Sequence, residues 1–79
     1  MVGPVHILDA RRLLCPMPVI RLQQLVATLT PGELVDMVCS DPGALHDVPA
    51  WCRVHGHVVL ETAEVAGEIT IRVRVDGTA

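Results

Sequence analysis

The sequence predicts an α+β fold: a two-layer α/β sandwich of order βαβαββ, with two helices laid across one face of a four-stranded sheet. Three observations lead there. Between Pro16 and Leu29, the residues Val19, Leu22, Leu25, Val26 and Leu29 recur at helical spacing and form a stripe that needs a core to face. Short apolar runs on either side of that stripe have the length and composition of strands. Near the end of the chain, Ile69, Ile71, Val73 and Val75 alternate with Thr70, Arg72 and Arg74, which is the period of a half-buried strand.

The elements follow in order. Val5 to Asp9 alternates weakly between Pro4 and the pair Arg11-Arg12, and reads as a short first strand. The first helix comes next and is stopped by Thr30-Pro31-Gly32. Glu33 to Ser40, a run of Leu, Val, Met and Cys interrupted only by Asp36, is the second strand. A strand, helix, strand succession of this length favours a parallel pair with a right-handed crossover. Asp41-Pro42 pairs a capping residue with a proline suited to a first helical position, and Asp47-Val48-Pro49 repeats the signal. Because Pro49 fits poorly inside a continuous helix, the second helix is expected from about Val48 to His55, ending at Gly56. Its core face would use Val48, Trp51 or Cys52, and His55. Val58 to Val65 is a third strand, Ala66-Gly67 turns the chain, and the alternating run closes an antiparallel hairpin.

Cys15 carries the chemistry. Pro16 reads as the first helical residue, where a missing N–H is harmless, so Cys15 falls at the helix cap. Pro18 lies in the same turn, which leaves the N–H groups of Met17 and Val19 to face the sulfur. Such donors, the helix dipole and the nearby Arg11 and Arg12 would favour a thiolate, making Cys15 a candidate nucleophile. The plainer alternative is a small buried hydrophobe before a proline. On a regular helix Met17, Ile20, Arg21 and Gln24 point away from the apolar stripe, close to the Cys15 end. Exposed Met17 and Ile20 beside a reactive thiol suit a docking face for partner proteins, against the simpler reading of isolated surface hydrophobes.

At 79 residues the chain is one small domain, of a size that buries only about 60% of its unfolded surface, with no room for a deep cavity. Trp51 is its only aromatic residue, so base stacking has little support. A net charge of -3, with six basic residues, all arginine, gives no overall field to hold a nucleic acid. Three cysteines argue against a disulfide framework and for a reducing compartment; a cytoplasmic monomer is expected. Met1-Val2-Gly3-Pro4 shows no basic segment leading into an apolar stretch, and no run is long enough to span a bilayer, so no membrane association is expected. No cofactor is expected either.

The run Leu8-Asp9-Ala10-Arg11-Arg12-Leu13-Leu14-Cys15-Pro16-Met17-Pro18 resembles the signature of the TusA/SirA-like sulfur-carrier family, in which Cys-Pro-x-Pro opens the first helix. Pro31-Gly32-Glu33, Asp41-Pro42-Gly43-Ala44, Asp47-Val48-Pro49-Ala50-Trp51-Cys52 and Gly56-His57 resemble the family's later landmarks, in the same order. The resemblance implies a mixed four-stranded sheet and a persulfide on Cys15. It also implies a sulfur donor of the cysteine desulfurase or rhodanese type, and a downstream acceptor protein. End uses across the family include tRNA thiolation, molybdenum-cofactor synthesis and sulfur oxidation. Two positions depart from the pattern: Arg12 stands where the family usually has glycine, and Leu14 where it often has a basic residue. Arginine does not share glycine's freedom at positive φ, so a different loop shape before Cys15 is expected.

Other readings compete. Cys52, His55 and His57 have ligand chemistry, but core packing for Cys52 and helix-end capping for His55 account for them better, and no metal is expected. Cys39 reads as buried and inert, and no Cys-x-x-Cys spacing supports a dithiol switch. Arg72 and Arg74 are either solvated charges or a second basic patch for an acidic partner. The alternative function class is a non-catalytic regulatory or RNA-binding module.

Overall fold

The structure, a computed structural model, describes residues 4–77, so the opening Met1-Val2-Gly3 lies outside the described residues. Six elements succeed one another: β1 (Val5–Ala10), α1 (Met17–Val26), β2 (Leu34–Cys39), α2 (Ala44–His55), β3 (Val58–Val65) and β4 (Glu68–Arg74). The predicted βαβαββ order is the observed one. Strands lie in the order β1-β2-β4-β3, with β1 parallel to β2 and both β2–β4 and β4–β3 antiparallel. The sheet is therefore mixed, and the last strand in sequence is a central one.

Burial explains that placement. Ile69, Ile71 and Val73 on β4 are fully buried, as are Val35, Met37 and Cys39 on β2. Leu22 and Val26 of α1 and Ala44, Val48 and Cys52 of α2 join these residues in one core, which puts both helices on the same face. β3 exposes most of its length and takes the edge. On the opposite face Asp36 and Arg72 are cross-strand partners, and the guanidinium holds the carboxylate through two bonds of 2.7 and 2.8 Å. The lone acidic residue of β2 is thus matched by an arginine at the same level of β4. Ala66, with φ 52°, and Gly67, with φ 80°, make the expected hairpin turn.

Both helices differ from expectation at their starts. α1 begins at Met17, not Pro16, and its regular part ends at Val26. Beyond it the chain tightens, with Thr28 N–H donating to Leu25 O and Leu29 N–H to Val26 O, so Leu29 still packs against the core. α2 begins four residues earlier than expected and carries Pro49 in its interior. Asp41-Pro42-Gly43 starts it: Asp41 accepts Gly43 N–H on its side chain at 3.1 Å and Ala44 N–H on its carbonyl at 3.0 Å. Burial of Ala44, Val48 and Cys52, four residues apart, holds the helix through the proline despite the lost N–H. Gly56, at φ 81°, ends it in the left-handed conformation that glycine adopts without strain.

Of the residues expected on the core face of α2, Val48 and Cys52 are fully buried, whereas Trp51 and His55 are half-buried at its flank. The Trp51 ring lies 4.9 Å from His55 and 5.1 Å from His57, centroid to centroid. His57 is buried, and its Nδ1 accepts the N–H groups of Asp76 and Gly77 at 3.2 Å each. No helix among the described residues is long and apolar enough to cross a membrane.

Candidate functional site

Cys15 sits on the connection between β1 and α1, exposed, while Cys39 and Cys52 are buried in the core. The buried-hydrophobe alternative for Cys15 is excluded. The cap geometry is not as expected. Cys15 and Pro16 form a turn closed by Met17 N–H donating to Leu14 O at 2.8 Å, and the peptide between them is cis. Pro16, not Cys15, occupies the position before the helix, and no side chain caps α1. The Met17 N–H that was expected to face the sulfur is taken by the Leu14 carbonyl. Pro18, buried in the first turn, and half-buried Val19 instead anchor the start of the helix on the core side.

Two carboxylates hold the cysteine in place. Its backbone N–H donates to Asp41 Oδ2 at 3.0 Å, and its thiol donates to Asp47 Oδ2 at 2.7 Å. The Asp47 bond, a small loss of hydration, and the negative charges of Asp47 and Asp41 push the thiol above its ordinary range. This reverses the expected direction. The arginines that were to favour a thiolate are not among the groups that shift it. Arg11 forms two 2.9 Å bonds to Asp9 and approaches Glu68 at 3.7 Å, and its guanidinium lowers the Asp9 carboxyl to about 2. Arg12 adopts φ 66°, and its backbone N–H donates to Ser40 Oγ at 2.8 Å. The arginine thus takes up a positive φ rather than reshaping the loop to avoid it. Asp9, Arg11, Arg12 and Ser40 line an open depression of about 500 Å³ on this loop.

Beside these carboxylates, the start of α1 and the residue before the cysteine expose apolar side chains. Met17 and Ile20 are exposed, as their helical spacing predicted, with Arg21 and Gln24 exposed on the same helix. Leu14, next to the cysteine, is 74% exposed. Asp41 and Asp47 were not expected beside Cys15, nor was Leu14 expected as an exposed side chain next to it. Both aspartates were read as helix-capping signals, and the Asp47 contact spans 32 positions. Only the unbroken apolar pair Leu13-Leu14 on a loop offered a clue, since Leu13 packs on the core and Leu14 is left outside.

The remaining candidates resolve plainly. Arg72 is paired with Asp36, and Arg74 with Asp76 at 2.9 Å, so the last strand offers no uncompensated basic patch at these two positions. Burial pushes the Cys52 thiol to about 11, and burial together with Asp41 raises Cys39. Among the described residues no three His, Cys, Asp or Glu side chains converge as a metal ion would need.

Comparison with known proteins gives this site its context. The family model described as Sulfurtransferase TusA matches residues 6–75. The chain belongs to the TusA family. It is similar to the sulfur carrier protein TusA of Pseudomonas putida, at 39% identity over 71 residues, covering 90% of this chain and 89% of that protein. The Pseudomonas paraeruginosa TusA is 43% identical over 68 residues, covering 85% and 86%. The Pseudomonas aeruginosa TusA is 43% identical over 61 residues, covering 77% of each. Membership of the TusA family supports a sulfur-carrier role, and the matched span includes the whole Cys15 loop, both helices and the sheet except its first residue, Val5.

Proposed function

We propose that this protein holds sulfur as a persulfide on Cys15, taking it from a donor such as a cysteine desulfurase or a rhodanese and passing it to an acceptor protein. The end use would be tRNA thiolation, molybdenum-cofactor synthesis or sulfur oxidation. The observation that carries the reading is that Cys15 alone of the three cysteines is exposed, on a loop bordered by exposed Leu14, Met17 and Ile20. Sulfur exchange between proteins needs a sulfur that a partner can reach and a surface on which the partner can sit. Arg11, Arg12, Arg21 and Gln24 supply a polar rim to that surface, and Met17 supplies an adaptable side chain that suits more than one partner.

Intact mass after incubation with a cysteine desulfurase and cysteine tests this. The wild-type protein is expected to gain one sulfur that reductant removes, and Cys15→Ser to gain none. The serine hydroxyl can still donate to Asp47, so the variant should remain folded, with stability within about 0.5 kcal/mol of wild type. Sulfur loading on Cys15→Ser would assign the cargo to another cysteine and refute the reading.

A further inference from the structure

The resting thiol poses a problem for transfer: a sulfur that must attack has its S–H hydrogen-bonded to a carboxylate. Two acidic side chains face Cys15, from the loop before α2 and from α2 itself, and they have different duties. Asp41 is committed through both oxygens, Oδ1 to Gly43 N–H at 3.1 Å and Oδ2 to Cys15 N–H at 3.0 Å, and so orients the backbone. Asp47 places Oδ2 on the sulfur itself at 2.7 Å. Of the nearby arginines, Arg11 is held by Asp9 and Glu68.

We infer that Asp47 is the general base of sulfur loading, accepting the Cys15 proton as the sulfur makes its new bond. The inference rests on the persulfide reading above. In the step, Cys15 Sγ bonds to the outer sulfur of a donor persulfide, R–S–S–H, while the donor S–S bond breaks and its electron pair leaves on R–S⁻. The Cys15 proton passes to the Asp47 carboxylate, which returns it to R–S⁻. The products are Cys15–S–S–H and R–S–H, with no net oxidation. Until that moment Asp47 keeps the exposed sulfur as a thiol, which is less open to oxidation than a thiolate. As the new S–S bond forms, the S–H becomes strongly acidic, and a carboxylate already in hydrogen-bond contact receives the proton without rearrangement.

Asp47→Asn separates this role from simple suppression of the thiolate, because the amide oxygen can still accept the S–H bond but cannot take the proton. Loading of the full-length protein from glutathione persulfide is followed by intact mass across pH, alongside alkylation by iodoacetamide, which consumes preformed thiolate. With the carboxylate removed, the Asp47→Asn alkylation profile should move to lower pH. Its loading rate at about pH 6 should nonetheless fall about tenfold or more, recovering towards about pH 9 as solvent ionises the thiol. Asp47→Glu should restore loading at low pH, and matching thermal melts would show that all three proteins are folded. A structural role alone does not move the two profiles in opposite directions. If Asp47→Asn loads at low pH as fast as wild type or faster, Asp47 is only a brake on the thiol and the inference falls alone. If wild-type protein loads at no pH, the carrier reading falls and takes this inference with it.

Discussion

Replacing Arg12 with glycine should stabilise the protein. Arg12 holds φ at 66°, the left-handed region, on the loop between β1 and Cys15. For a residue with a Cβ this conformation costs about 1–2 kcal/mol, because the Cβ crowds the following carbonyl. Glycine removes that cost but adds freedom to the unfolded chain, which takes back about 0.4–1 kcal/mol. The backbone N–H of Arg12 donates to Ser40 Oγ, and glycine keeps that bond. At the middle of both ranges the net gain is about 0.8 kcal/mol, a rise of about 3–6 °C in Tm for a domain of this size. Thermal melts of wild type, Arg12→Gly and Arg12→Ala at one pH check it. Alanine keeps the Cβ and its strain, so it should gain nothing. If Arg12→Gly melts no higher than wild type, or Arg12→Ala gains as much, backbone strain at this position is not what limits stability.

Two further outcomes are expected. Brief iodoacetamide treatment near neutral pH followed by peptide mapping should label Cys15 well before Cys39 or Cys52. Exposure decides the order: the Cys15 thiol is itself raised, but the other two sulfurs are buried and Cys52 is pushed to about 11. Early label on either buried cysteine would count against the proposed site. Met17→Lys or Ile20→Glu should slow sulfur transfer with a protein partner on the order of tenfold, through loss of docking, while leaving the melt within about 0.5 kcal/mol. Loading from a small persulfide should stay unchanged, and unaltered protein-to-protein transfer in both variants would remove this face from the docking surface.

What the sequence determined by itself is local. The spacing of Leu22 and Val26, the strict alternation of Ile69, Ile71 and Val73, and the prolines and glycines between elements specify each helix and strand. These signals report the geometry of neighbouring residues along one segment. The same spacing put Met17 and Ile20 on the outer face of α1, where they are found. Pro49 misled because its penalty in an isolated helix is outweighed here by the burial of Val48 and Cys52 on either side. The position of β4 between β2 and β3, the pairing of Asp36 with Arg72, and the upward shift of the Cys15 thiol were decided by tertiary structure. Each depends on which segments meet. Arg11 and Arg12 are the cysteine's neighbours in sequence, yet Asp47, 32 positions away, touches the sulfur because α2 packs beside the start of α1. The electrostatics of a thiol follow distance in space, falling off over a few ångströms, and separation along the chain does not measure that distance.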